Sequence, residues 1–79
     1  MINHRAQLLT RATARDEAAA DCEDLLRTLR LDLERAVYGS EEADYLAARI
    51  MVATADRNHA RLMAAYYREQ AEEMGRARG

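Results

Sequence analysis

Apolar residues recur at alternating steps of three and four along the first half of this chain, the spacing of a helix packed against other helices. Arg15 is the only polar residue that falls on this line. The line consists of Leu8, Ala12, Ala19, Cys22, Leu26, Leu29, Leu33 and Ala36. It predicts one long helix over residues 3–37.

The second half of the chain repeats the same steps, with Arg57 as the polar interruption. This line consists of Leu46, Ile50, Ala53, Ala60, Ala64, Tyr67, Ala71 and Met74. It predicts a second helix over residues 41–74. Gly75 follows the last apolar position, so residues 75–79 are expected to form a frayed tail.

A further apolar line lies on the second helix, roughly 100° around the helix axis from the first line. It consists of Tyr45, Val52, Ala55, His59, Leu62 and Tyr66. Two apolar lines on one helix indicate packing from two sides, as in a four-helix bundle.

The only strong break in the pattern lies at Gly39 and Ser40, near the midpoint of a chain without proline. Gly39 suits the left-handed conformation that ends many helices, because it has no Cβ. Ser40 is a good N-cap, and the acidic residues that follow it favour a helix N-terminus. The sequence therefore predicts an all-α fold, a single domain over residues 1–79 built as an antiparallel helical hairpin.

An alternative break lies near residues 13–16. Thr13 has the chemistry of an N-cap, and Asp16 stands where a capping box has Glu or Gln. A helix boundary there would divide the first helix and give a three-helix bundle. Against it, Ala14 and the run of alanines at 18–20 are strong helix formers.

The order of charges supports the hairpin. The chain has twelve basic residues, all arginine, and fourteen acidic residues, for a net charge of −2. Folding at Gly39 sets the acidic block 16–24 opposite Arg57 and Arg61. The other expected matches are Arg5 and Arg11 with Glu69, Glu72 and Glu73, and Arg35 with Glu41, Glu42 and Asp44. Such matching specifies the antiparallel direction, since the reversed register opposes like charges.

Size and composition bound the class of protein. Cys22 is the only cysteine, so no disulfide can form within one chain. A single cysteine, no secretory leader and no apolar run near about 18 residues favour a cytoplasmic protein. No motif for a catalytic centre or a cofactor stands out, so neither an enzyme nor a cofactor is expected.

A lone hairpin buries only one side of each helix, and chains below about 80 residues usually need further support such as oligomerisation. We therefore expect a homodimer that completes a four-helix bundle. The residues expected in the core or dimer interface are Leu8, Leu26, Leu29, Leu33, Leu46, Ile50, Ala53, Ala60 and Tyr67. In outline this arrangement resembles the dimeric helical-hairpin bundle of the Rop type, although no functional motif of that family can be matched.

Two weaker hypotheses concern ligands. Asp56 and His59 lie three apart on one helical face, a spacing that supplies metal ligands in some bundles, and Glu23 or Asp24 is expected at the same level. A small metal-binding bundle is therefore one alternative. Cys22 falls on the apolar line, where a small hydrophobic role is favoured over a nucleophile paired with His59.

The second alternative is a Rop-like hairpin dimer that binds nucleic acid through Arg5 and Arg11. The overall negative charge and the expected pairing of these arginines with acidic residues make nucleic acid a less favoured partner. No membrane and no small-molecule substrate are expected.

The favoured hypothesis is a non-enzymatic protein–protein interaction module, a small regulator or inhibitor that docks onto a larger protein. Tyrosines are enriched at interfaces because one end is apolar and the other tolerates water. The candidate partner-binding residues are Leu31, Tyr38, Tyr45, Met51, Leu62 and Tyr66. By analogy of size and style, such chains resemble the anti-host factors of phages and mobile elements.

Overall fold

The computed structural model describes residues 3–78, apart from the side chain of Arg78, and consists of two helices packed on each other. Helix α1 spans His4–Arg35 and helix α2 spans Glu41–Arg78. The hairpin measures 59 × 15 × 14 Å, and its length matches the roughly 57 Å expected for α2 at 1.5 Å per residue. The predicted all-α helical hairpin is confirmed.

Helix α1 begins at an N-cap and continues without a break. The Asn3 side chain accepts a hydrogen bond from the Ala6 backbone N–H at 3.1 Å, which satisfies one of the free donors of the first turn. Thr13 lies inside the helix, where its hydroxyl donates to the Leu9 carbonyl at 3.1 Å. Because this hydroxyl donates to a carbonyl within the same helix, it does not cap a helix N-terminus. The alternative three-helix bundle with a break near 13–16 is therefore wrong.

The first helix ends earlier than predicted. Ala36 leaves the helix with an extended backbone (φ −73°, ψ 150°), and its N–H donates to the carbonyls of Asp32 and Leu33. Gly39 has a φ of 77°, but it sits in a tight turn closed by the Ser40 N–H donating to the Val37 carbonyl at 3.1 Å. A positive φ at the third residue is the requirement of a type II turn. Gly39 thus makes the turn rather than terminating the helix.

The second helix begins as predicted and ends later. The Ser40 hydroxyl accepts from the Ala43 N–H at 3.1 Å, and acidic residues fill the first turn. At the other end the helix passes through Gly75 to Arg78, so the prediction of a frayed tail from residue 75 is wrong for residues 75–78; Gly79 lies outside the described residues. A glycine inside a helix costs only about 1 kcal/mol relative to alanine, which is too little to stop a helix of this length.

The core differs between the two halves of the hairpin. Near the turn, Leu26, Leu29 and Leu46 are buried and form a cluster with Ala53. Leu33, Ala36 and Ile50 pack against this cluster and are half-buried. Towards the open end the buried residues are Ala12, Ala19, Ala60, Ala64 and Ala71, while Leu8 and Tyr67 are half-buried. The seam is therefore leucine-rich at the turn and alanine-rich beyond it.

The hairpin exposes more surface than a compact protein of its mass. Its accessible area is 6053 Å², against roughly 4,850 Å² expected for a globular chain of 9.0 kDa. The Cα radius of gyration is 17.8 Å, against about 12 Å for a compact domain of this length. Neither described helix is long and apolar enough to cross a membrane.

Candidate functional site

Large apolar side chains lie mainly on the outside of this hairpin. Of the nine hydrophobic residues that are buried in the described chain, six are alanine and only three are leucine. Ten large hydrophobic side chains are instead between 37 and 101% exposed. They are Leu9, Leu25, Leu31, Val37, Tyr38, Tyr45, Met51, Val52, Leu62 and Tyr66. Patches of this kind on a water-facing surface mark sites of association.

Four of these ten side chains, Tyr45, Val52, Leu62 and Tyr66, belong to one line along α2, which we call the outer stripe. The outer stripe consists of Tyr45, Ala48, Val52, Ala55, His59, Leu62 and Tyr66, all of them exposed. Its steps of three and four residues repeat those of the buried seam. At 3.6 residues per turn its centre lies about 150° around α2 from the seam. The sequence-based value of roughly 100° is too small, and the stripe faces away from α1.

An open groove of about 330 Å³ runs beside the outer stripe along one edge of the hairpin. Leu25 contributes from α1, and the remaining lining comes from α2: Tyr45, Ala48, Arg49, Val52, Ala53 and Asp56. The Arg49 guanidinium lies over the Tyr45 ring, 5.9 Å from its centre. The groove thus extends the apolar surface of the stripe onto α1.

The opposite edge of the hairpin carries the ion pairs between the helices. The Glu23 carboxylate pairs with the guanidinium of Arg57 at 3.4 Å and with that of Arg61. Further from the turn, the Asp16 carboxylate pairs with the Arg68 guanidinium. The expected match of the acidic block with Arg57 and Arg61 is confirmed. One edge of the molecule is therefore charged and internally paired, and the other is apolar and open.

The Asp16–Arg68 pair changes the titration of both partners. A hydrogen bond from Arg68 lowers the pKa of the Asp16 carboxyl below its usual value, and the same bond raises the pKa of Arg68. Both side chains are close to half exposed, so solvent screens the attraction and the pair acts mainly to hold register.

The remaining charge matches predicted from the sequence are wrong. Within the described side chains, Arg5, Arg11 and Arg35 form no ion pair with the acidic residues proposed for them. For Arg5 and Arg11 the reason is helical phase. Glu69, Glu72 and Glu73 are exposed on the side of α2 away from the seam, and Glu72 pairs along its own helix with Arg76 at 3.8 Å.

The turn end of the hairpin carries a second group of exposed apolar side chains, which we call the tip patch: Leu31, Val37 and Tyr38. Tyr38 follows Val37 in the tight turn, and its side chain is as exposed as in an extended peptide, at 101%. A groove lies beside it, lined in part by Leu33, Ala36 and Gly39. Val37 and Tyr38 of the tip patch lie in the turn and Leu31 lies on α1, so the tip patch shares no residue with the outer stripe of α2.

The residues proposed for metal binding or nucleophilic chemistry do not come together. Within the described chain, no three His, Cys, Asp or Glu side chains are grouped as metal ligands. The Glu23 carboxylate is already paired with two arginines. His59 lies on the outer stripe, on the side of α2 that faces away from α1. Cys22 belongs to α1 and is half-buried in the seam, on the other side of α2.

All six candidate partner-binding residues are exposed: Leu31, Tyr38, Tyr45, Met51, Leu62 and Tyr66. Of the nine residues expected in the core or dimer interface, Leu26, Leu29, Leu46, Ala53 and Ala60 are buried, and the other four are half-buried. Sequence reasoning did not include Leu25, Val37 and Val52 among the partner-binding residues. The sequence already places Val52 on the further apolar line with Tyr45 and Tyr66, and that spacing alone was enough to include it. Leu25 could not, since its place in the groove depends on the position of α2.

The described geometry thus offers two apolar surfaces, the outer stripe with its groove and the tip patch, and one internally paired charged edge. Comparisons of the chain with protein-family models, with curated proteins and with solved structures find no match.

Proposed function

We propose that this chain is a non-enzymatic protein–protein interaction module, a self-associating helical hairpin that docks onto a larger protein. It acts as a regulator or inhibitor by occupying a surface of that protein, in the cytoplasm. The observation that carries the proposal is the distribution of side-chain size: six of the nine buried hydrophobic residues are alanine, while ten large Leu, Val, Met and Tyr side chains are exposed.

The energetic argument follows from that distribution. Burying one large apolar side chain is worth roughly 1.5–3 kcal/mol. A seam in which six of nine buried residues are alanine gains less from each contact than a leucine seam does. The apolar surface outside the seam is therefore a large share of what this chain can bury, and it is buried only by association with another molecule.

The tip patch is the surface proposed for the larger protein. Leu31, Val37 and Tyr38 combine an aromatic anchor with aliphatic neighbours, the composition of interface hot spots. The Ser40-to-Val37 hydrogen bond constrains the backbone at Tyr38, so less backbone entropy is lost when this residue docks. Specificity would come from the charged residues that surround the patch.

The test is affinity capture with immobilised hairpin from extracts of the native host, followed by mass spectrometry. Wild type is compared with a Leu31→Ser/Tyr38→Ser variant. As a matched control, Arg27→Ser changes an exposed residue on α1 that pairs only with Asp24 of the same helix. The proposal expects a protein that wild type and the control retain and the tip variant loses. Equal capture by all three, or no specific capture, contradicts docking through the tip patch.

A second candidate function, nucleic-acid binding by the hairpin, is favoured by one observation. Arg11 and Arg15 line a shared groove with Tyr67, and within the described side chains neither arginine is in an ion pair. Free guanidinium groups beside an aromatic ring suit phosphates and bases. This candidate predicts retention on heparin that falls steeply with salt and is lost in an Arg11→Ser/Arg15→Ser variant. Retention that is unchanged in this variant rejects it.

A further inference from the structure

We infer that the outer stripe of α2 is the site for a second copy of this chain, bound antiparallel about a two-fold axis beside Ala55. This inference rests on the self-association in the proposed function and specifies its surface and direction. The α2 helices of the two copies lie at the centre of the assembly, and each α1 lies on the outside.

The position of the stripe around α2 determines this order. The seam with α1 and the outer stripe are separated by about 150° at 3.6 residues per turn. A partner on the stripe therefore meets α2 on the side away from α1. The groove lined by Leu25 and Val52 flanks the stripe, so the incoming helix also covers apolar surface on that edge. The charged edge, where Glu23 and Asp16 are paired, stays in water.

The order of residues along the stripe favours the antiparallel direction. A two-fold contact must be complementary to itself, because the same surface serves both copies. Read from either end, the stripe begins with a tyrosine and has Ala55 at its centre. Antiparallel pairing about Ala55 sets Tyr45 opposite the partner's Tyr66. A parallel arrangement would instead set each residue against its own copy.

The inner positions of the stripe fit the same register. The small Ala48 faces the partner's Leu62, and Val52 faces the partner's His59. A small residue opposite a large one allows the helices to approach closely without overpacking. In a parallel pair, Leu62 would meet Leu62 of the partner subunit and Ala48 would meet its alanine counterpart, so layer size would alternate instead of being evened out along the helices.

The residues beside the stripe are mostly uncharged over its central part. The flanking residues there are Met51, Asn58, Met63 and Ala65. A neighbouring helix can therefore pack on this region without burying unpaired charge. Arg49 and Asp56, both in the groove beside the stripe, are the exceptions. Asp56 lies next to the axis, where its two copies face each other, and this repulsion lowers the affinity of the dimer.

The elongated hairpin has enough exposed area to supply one side of a dimer interface. The hairpin exposes roughly 1,200 Å² more than a compact protein of its mass. A standard interface buries about 800 Å² on each partner. The stripe extends over 22 residues of α2, about 32 Å at 1.5 Å per residue, which is long enough for an interface of that class when the groove beside Leu25 is included.

Disulfide trapping tests the register. In a Cys22→Ala background, single cysteines are placed at exposed positions of the stripe by Ala55→Cys, Ala48→Cys and Leu62→Cys, with Asp21→Cys on α1 as the control. A disulfide requires Cα atoms within about 7 Å. We expect Ala55→Cys to cross-link with itself on mild oxidation. Ala48→Cys and Leu62→Cys should cross-link with each other when mixed and only weakly alone, since the two positions lie about 21 Å apart along α2.

Equal self-linking of all three stripe variants would show a parallel pair and overturn the inferred direction. Linking of the Asp21→Cys control as fast as Ala55→Cys would show random collision. An independent measurement uses Asp56→Asn, which we expect to tighten the dimer several-fold in sedimentation equilibrium; unchanged or weaker association contradicts an axis beside Ala55. Capture of a larger protein through the tip patch is a separate experiment. If that capture succeeds and the cross-linking fails, the interaction function stands and the inferred dimer is wrong.

Discussion

The Asp16 carboxylate and the Arg68 guanidinium pair across the open half of the hairpin, 52 positions apart in the chain. Around them the seam consists mostly of alanine, whose contacts alone tolerate small shifts along the helix axis. The pair therefore fixes the register of the helices at a distance from the turn, where the leucine cluster does not reach.

Acid should weaken the hairpin through this pair. The arginine holds the pKa of Asp16 below its usual value, so the stabilisation is complete above the carboxyl's unfolded pKa, about 3.9, and is lost as the pH falls through the lower folded value. We expect Asp16→Asn to melt below wild type at neutral pH, with the two melting temperatures converging under acid. Asp21→Asn, an exposed carboxylate outside the ion pairs of the described chain, is the control. A constant gap between wild type and Asp16→Asn across this range contradicts the assignment.

The leucine cluster near the turn should dominate stability. Leu26→Ala or Leu29→Ala empties a buried position and is expected to cost about 2–5 kcal/mol per chain. Leu31→Ala and Tyr38→Ala remove exposed side chains and should leave the free energy of unfolding nearly unchanged. Chemical denaturation followed by circular dichroism measures both pairs. Equal losses in the two pairs would show that the assignment of inside and outside is wrong.

Replacing each of the two described glycines by alanine should change the stability of the hairpin in opposite directions. Gly39 has a positive φ with nothing within 4 Å of an added Cβ, so Gly39→Ala costs about 1–2 kcal/mol for conformational reasons alone. Gly75 is helical, and an added Cβ meets only Arg5 Nε at 3.7 Å. Gly75→Ala should therefore stabilise by up to about 1 kcal/mol. Thermal melts of the two variants test this, and a stabilised Gly39→Ala would exclude the type II turn.

Removing the hydroxyl of Ser40, which caps α2, should reduce stability more than removing the hydroxyl of Thr13, which the sequence offered as an alternative N-cap. Ser40→Ala removes the bond to the Ala43 N–H and is expected to cost about 1 kcal/mol. Thr13→Ala removes only a bond back to the Leu9 carbonyl within α1 and replaces threonine by a better helix former, so stability should hold or rise. A larger loss for Thr13→Ala than for Ser40→Ala would reopen the three-helix alternative.

The hairpin was predictable because its strongest signals are local. Gly39 and Ser40 form the one break in an otherwise helical pattern, and the structure places the turn and the N-cap there. The end of α2 was missed because a glycine such as Gly75 is a weak stop signal when the flanking residues are good helix formers. The pair Arg76 and Glu72 supports the helix beyond it.

The site was predictable in composition but less so in geometry. Spacing alone identified Tyr45, Leu62 and Tyr66 as outward candidates, and their exposure follows from the helical period. The Asp16–Arg68 pair was missed although it repeats the Glu23–Arg61 pair seven residues further from the turn on each helix. Which arginine meets which carboxylate depends on the edge of the helix that each one occupies, and comparing blocks of charge does not resolve edges.

The most direct test of the account is the mass of the protein in solution, measured by light scattering on wild type, Val52→Glu and Ala20→Glu. Val52 lies on the outer stripe next to its central residue, Ala55, whereas Ala20 is exposed on α1. We predict a wild-type mass of twice the 9.0 kDa chain, a monomer of unchanged helix content for Val52→Glu, and a dimer for Ala20→Glu. A wild-type monomer at concentrations of tens of micromolar, or a dimer that survives Val52→Glu, would contradict the claim that the outer stripe is where this chain meets its own copy.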